Sequence, residues 1–459
     1  MIFQKRLLVL AAFTVFILSC NNNPATTGTA PAISNDTATI DGHPAWIMQG
    51  NIYEVNVRQY TPEGTFNAFA NNLQRLKDMG VQTLWFMPIN PISKVGRKGV
   101  LGSYYAVANY TAINPEYGTM DDWKALVKKC HDMGFKVIID WVPNHTGADN
   151  YWLTAHPDFY VKDKMGKAAV ANGWDDTRQL DYHNPVMVDS MINCMKFWVE
   201  QSDIDGFRCD YAVGPTREFW KKCISDLKKE KNLYMMAEAD SAWLHEVGFD
   251  ATYTWSEFNA MKQVAAGKAP ATAIDSAIAV LDRDFPANAL KMYFTSNHDE
   301  NSWNKADYGT MPGASHAPFA VLTQTIGRSI PLIYSGQEEP VLDSISFFYK
   351  DPIKFGKYAR APFYSILLHL RAENPALAAN ASFIKLKTGK DASVYAFERM
   401  KDGRKVLVLL NLSAKSVSFN ITDANMDGKP DNIFSGKKET IQKGQVFTLP
   451  AWGYSVYSY

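Results

Sequence analysis

The chain has 459 residues, with 47 basic and 47 acidic side chains that cancel to a formal charge of zero. That length can hold a barrel of roughly 250 to 400 residues with a smaller module beside it, and the even charge excludes nucleic acid as an expected partner. Its 12 Trp and 22 Tyr suit stacking on sugar faces, but they serve a core equally well.

Lys5 and Arg6 precede an apolar stretch, Leu7 to Leu18, that is too short for a membrane span. It ends Ile17-Leu-Ser-Cys20, which resembles the bacterial lipobox. The resemblance implies a signal peptide over residues 1–20, cleavage before Cys20 and a lipid on its thiol. An ordinary signal peptide that happens to carry a cysteine is the alternative. Residues 21–42 are rich in Thr, Ala, Pro and Asn without periodicity, as a flexible tether would be. No acid follows Cys20 until Asp36. Such acids belong to the surface-export signals of some envelope lipoproteins, so a lipid-anchored protein of a bacterial envelope is expected, facing the periplasm rather than the cell surface.

Residues 43–375 alternate between strand-like and helix-like runs. Strands are predicted at Gly50–Arg58, Val81–Met87, Phe135–Ile139, Ile204–Arg208, Leu233–Ala237, Ala251–Trp255, Leu290–Thr295 and Ile330–Ser335. Helical patterns fall between them, at Thr65–Met79, Met120–Met133, Val186–Gln201, Pro215–Lys229 and Ala273–Asp284. Eight such units predict an α/β chain folded as a (β/α)8 barrel. Two connections are long, Asn90–Asn114 and Thr146–Pro185. The second predicts a small excursion, residues 146–185, over the barrel mouth. Residues 376–459 are β-rich with turns between and predict a C-terminal antiparallel β-sandwich. Cys130, Cys194 and Cys223 fall on helical patterns and Cys209 on a strand. They show no CxxC or His pairing, which points to buried free thiols and away from zinc.

Acidic residues end four of the apolar runs, in the segments Asp140-Trp-Val-Pro-Asn-His145, Gly206-Phe-Arg-Cys-Asp210, Ala237-Glu238 and Ser296-Asn-His-Asp299. Parallel barrel strands bring their C-terminal ends to one mouth, so these groups converge. Arg208, two residues before Asp210, points the same way on a strand, and a fixed cation there favours an ionised Asp210. Glu238 follows Met235, Met236 and Ala237, an apolar lead-in that suits a proton donor. His145 and His298 each stand beside an acid at a strand end, which points to contact with a substrate, and Asp140 is expected to orient Arg208 or its neighbours.

The four segments, with Gly102-Ser-Tyr-Tyr105 and Pro331-Leu-Ile-Tyr-Ser-Gly-Gln-Glu338, resemble the α-amylase family of retaining glycoside hydrolases, from about Trp46 to the end of the chain. The resemblance implies Asp210 as nucleophile, Glu238 as general acid/base and Asp299 as the third carboxylate. It also implies Tyr105 as the residue stacked at the cleaved sugar, with Tyr104 as the competing choice. The implied substrate is an α-glucan oligosaccharide or polysaccharide cut at α-1,4 bonds, with no obligate protein partner. Neopullulanase, cyclomaltodextrinase, α-glucosidase or transglycosylase action stays open, and so does a non-catalytic starch-binding lipoprotein. Asn144 and Asp181 match positions that supply structural Ca2+ ligands in the family. The Lys-His that often follows the nucleophile is replaced here by Val213 and Gly214.

Overall fold

The computed structural model describes residues 37–304, 310–340, 343–424 and 426–459. The expected signal peptide, with Cys20, and most of the expected tether lie outside the described residues. The tether boundary moves forward: Thr39–Ile40 pairs antiparallel with His43–Pro44, so the chain is structured before residue 42.

Eight parallel strands close a barrel. They are β1 (Ile52–Val55), β2 (Thr83–Phe86), β3 (Lys136–Trp141) and β4 (Gly206–Cys209). β5 (Tyr234–Ala237), β6 (Ala251–Tyr253), β7 (Leu290–Tyr293) and β8 (Ser329–Tyr334) complete it. Each pairs with its successor, and β8 returns to β1 with Leu332 opposite Ile52. Nearly every strand residue is buried, as expected when side chains fill the lumen on one face and helices cover the other. Gly206 sets the spacing of β4 and β5: a Cβ there would lie 2.0 Å from the Tyr234 carbonyl oxygen.

The covering helices start at polar caps. Thr119 forms a reciprocal capping box with Asp122 before Met120–Asp132. The Thr216 side chain caps Arg217–Glu230, and Asn184 followed by Pro185 opens Pro185–Ser202. The expected helix Thr65–Met79 is two helices, Phe66–Ala70 and Leu73–Met79. Asn71 and Asn72 interrupt it, and the Asn72 side chain bonds back to the Ala68 carbonyl. The first strand is shorter than expected because a helical turn, Val57–Tyr60, takes its end. The sixth stops at Tyr253 because Trp255 opens a helix to Ala265. Cys130, Cys194, Cys209 and Cys223 are buried and free. No helix among the described residues is long and apolar enough to cross a membrane.

The excursion is built on a short antiparallel pair, His145–Gly147 with Thr177–Gln179, in which His145 faces Gln179. After the barrel, β9 (Ser382–Leu386), β10 (Val394–Lys401), β11 (Arg404–Asn411), β13 (Asp431–Asn432), β14 (Lys437–Lys438) and β16 (Tyr454–Ser458) form one sheet. β12 (Val417–Asn420) and β15 (Val446–Leu449) form a second, smaller sheet. Alternation along β10 divides its residues: Val394 and Ala396 join Phe419 and Phe447 inside the sandwich, while Tyr395 and Phe397 join the barrel core beside Phe319 and Ile326.

The first described residues lie against the foot of the barrel. Asn232, just before β5, donates to the Ala38 carbonyl, and Asn288, just before β7, donates to the Asp41 carbonyl. His43 meets Asp250 at the start of β6.

Candidate active site

At the opposite end, the C-terminal strand ends and the excursion enclose a cleft of about 460 Å³. Asp210, Glu238, Asp299, Tyr105 and His145 all line it. Register explains the meeting of the first two. Cys209 of β4 faces Ala237 of β5, and the Glu238 amide donates to the Cys209 carbonyl at 2.9 Å. The two carboxyls therefore emerge side by side, each within 3.1 Å of the same guanidinium.

Arg208 lies beneath them, fully buried. One Nη is 2.8 Å from Asp140 and 3.1 Å from Asp210; the other is 3.1 Å from Glu238. Its Nε donates to the Tyr253 hydroxyl at 3.1 Å. Burial opposes the guanidinium charge, but Asp140 and Glu238 outweigh it and hold its pKa well above the ordinary value. Burial raises Asp140 to about 6 against the pull of Arg208 and His298. Asp140 also accepts from Trp85 Nε1 at 3.2 Å and from the Tyr105 hydroxyl at 3.1 Å.

Two electrostatic expectations change. Asp210 is pushed well above the usual carboxylate range, first by burial and then by Glu238, with Arg208 opposing. One cation shared among three carboxylates does not offset burial and the neighbouring Glu238. Glu238 is also less apolar in setting than its sequence neighbours suggest. Besides Arg208, it accepts the Tyr211 backbone N–H at 2.9 Å.

His298 and Asp299 stand in the first turn of the helix His298–Asn304 rather than on the strand itself. His298 Nε2 lies 2.7 Å from the Tyr105 hydroxyl and 3.3 Å from Asp299, and its Nδ1 bonds Glu54 of β1. Burial disfavours the imidazolium, yet Asp299 and Glu54 hold its pKa up to about 9. Burial pulls His145 down to about 4, so it is neutral at pH 7. Its Nε2 lies 3.2 Å from the Tyr105 carbonyl, and its Nδ1 takes the Asn144 amide at 3.2 Å. Tyr105 stacks on His298 at 5.5 Å beside the carboxyls. Tyr104 is buried behind it under Arg58.

Sequence reasoning missed Glu54, which is fully buried. Its signal was a single acid inside an apolar run. It also missed the aromatic walls of the cleft: Trp174, Tyr211 and Phe347 on loops, and Trp303 in the short helix His298–Asn304, where no periodicity singles them out.

Of the expected calcium ligands, Asn144 has both of its oxygens hydrogen-bonded, while Asp181 uses one carboxylate oxygen. Asp181 Oδ1 meets both the backbone N–H and the ring of exposed His183, and the Asn144 oxygens accept from Gln179. Among the described residues no group of three or more His, Cys, Asp or Glu side chains could hold a metal ion. A second cavity, of about 510 Å³, opens at the barrel foot. Its acids are engaged, Asp282 by Arg328 and Asp41 by Asn380.

Residues 32–354 match the family model "Alpha amylase, catalytic domain", and residues 385–456 match "Maltogenic Amylase, C-terminal domain". Alpha-amylase 2 of Dictyoglomus thermophilum is 25% identical, covering 85% of this chain and 74% of that one. A cyclomaltodextrinase of Thermoanaerobacter pseudethanolicus is 24% identical, covering 84% and 69%. Among solved structures, a noncanonic maltogenic α-amylase from Thermotoga neapolitana superposes with a TM-score of 0.79 at 26% identity, over 90% of this chain and 96% of that one. An α-amylase from Lactobacillus plantarum gives 0.80 at 28%, over 90% and 99%.

Proposed function

Because the chain belongs to the α-amylase catalytic-domain family of glycoside hydrolases, we propose that it cleaves α-1,4 bonds of starch-derived oligosaccharides with retention, using Asp210 and Glu238. The observation that carries this reading is the placing of those two carboxyls, from adjacent strands, on one shared guanidinium. Retaining chemistry needs carboxyls only about 5–5.5 Å apart, with no room for a water between them.

The productive form has Asp210 ionised and Glu238 protonated, and a sugar entering between them separates the two roles. Asp210 then attacks the anomeric carbon while Glu238 passes its proton to the departing oxygen, and the glycosidic bond breaks. Glu238, now a carboxylate, takes a proton from water, whose oxygen displaces Asp210 and regenerates both groups. Asp299 and cationic His298 hold hydroxyls of the distorting ring, His145 walls the same cleft, and Tyr105 stacks on the ring's face.

Reducing-sugar release from maltoheptaose is the test, and none from the purified protein would refute the proposal. Asp210→Asn and Glu238→Gln are each expected to lower kcat by several orders of magnitude with the fold intact. The match to a maltogenic C-terminal domain and the cyclomaltodextrinase relative favour cyclodextrin or pullulan cleavage as the second reading, which product chromatography separates.

Attachment to a bacterial envelope through a lipid on Cys20 belongs to the same proposal. Its support is the sequence Lys5 to Cys20. Cys20→Ala is expected to move the protein from the membrane to the soluble fraction of lysed cells. If the variant still sediments with membranes, the anchor is wrong. Proteinase treatment of intact cells distinguishes the periplasmic side from the surface.

A further inference from the structure

Three oxygens converge where the excursion leaves the barrel, and a side-chain amide stands among them. Gln179 Nε2 donates to the Asn144 carbonyl at 2.9 Å, to Asn144 Oδ1 at 3.2 Å and to the Leu180 carbonyl at 3.3 Å. The backbone reinforces this closure, since the Leu180 amide also donates to the Asn144 carbonyl at 3.3 Å.

A hard divalent cation would need that space and more. Calcium takes six to eight oxygens, at roughly 2.3–2.6 Å, and its affinity rises with the number of carboxylates. The oxygens around Gln179 are neutral carbonyls. The nearest acid in sequence, Asp181, is half-exposed, bonds His183 through one oxygen and is not among the acceptors of Gln179. The third side of the junction is closed by backbone: a Cβ on Gly214 would lie 2.1 Å from Asn144 Oδ1. Asn144 thus occupies the room that a side chain at 214 would require.

We propose that Gln179 serves as the clasp between barrel and excursion, supplying by two N–H bonds the cross-link that a bound cation would otherwise supply, and that this junction is calcium-independent. The clasp is one residue from His145, so the excursion wall of the cleft rests on a neutral hydrogen-bonded joint. Burying such bonds is worth modest free energy each, and removing the donor leaves acceptors in a dry site unsatisfied.

The test uses the full chain and reads thermal stability and metal content, not turnover, so it stands apart from the proposed substrate. Protein dialysed against EDTA is expected to contain no stoichiometric calcium and to melt at the same temperature in EDTA and in millimolar CaCl2. Gln179→Ala is expected to melt several degrees lower in both buffers, without rescue by calcium. One tightly held calcium per chain, or a melting temperature that falls in EDTA and recovers with calcium, would overturn the proposal. So would an unchanged melting temperature in Gln179→Ala. If that variant fails to fold, the wild-type measurement in EDTA still decides.

Discussion

The most consequential single side chain outside the catalytic trio is Glu54, because it anchors a histidine that touches both Asp299 and Tyr105. Raising His298 from its ordinary 6.5 to about 9 is also a statement about stability. A histidine whose folded pKa is raised stabilises the fold fully below about pH 6.5, and that contribution disappears as the pH climbs through 9. Glu54→Gln keeps an acceptor for Nδ1 but removes the charge. The variant is therefore expected to be less stable than wild type at pH 6.5, with the gap closing above pH 9. Urea unfolding across that range measures it, and a gap independent of pH would show that His298 is not held as a cation. The alkaline limb of kcat/KM is expected to move to lower pH in the same variant.

At the level of elements, the catalytic geometry depends on how closely two neighbouring strands run. The Tyr234 carbonyl fills the space beside Gly206, so Gly206→Ala must push β4 away from β5 at their base. The expected result is a lower melting temperature and a loss of kcat/KM with Asp210 and Glu238 both still present. Wild-type activity would mean that the strand spacing has slack. Much of this level was readable beforehand. Apolar runs ending in Asp140, Asp210 and Glu238 announce buried parallel strands and their mouth, since burial on both faces leaves no alternation to confuse. The split at Asn71–Asn72 was not readable, because one amide bonding backwards decides it against a good apolar period. Gln179 carries no period at all. Its meaning arises only when His145–Gly147 pairs with Thr177–Gln179, a contact 34 residues apart in the chain. Trp174 and Phe347 face the cleft for the same reason, by the course of loops rather than by spacing.

For the molecule as a whole, barrel and sandwich share one core. Tyr395, Phe397, Val408 and Val456 of the C-terminal sheet pack with Phe319, Leu322 and Ile330 of the barrel. Each such side chain contributes roughly 1.5–3 kcal/mol on burial. Buried Arg399 adds a polar tie, donating to the carbonyls of Thr325, Ile326 and Ala378, each at 2.7 Å. Calorimetry is accordingly expected to show one cooperative transition, and removal of residues 376–459 to leave an insoluble barrel. A truncated chain that melts cooperatively by itself would contradict this.

The placement of Ala38, Asp41 and His43 against Asn232, Asn288 and Asp250 fixes which pole of the enzyme is its pedestal. Residue 37 lies at the pole opposite the carboxylates, so a bead or fusion partner coupled there does not cover the entrance. Immobilisation through the amino end is thus compatible with unhindered access for long, bulky polymers.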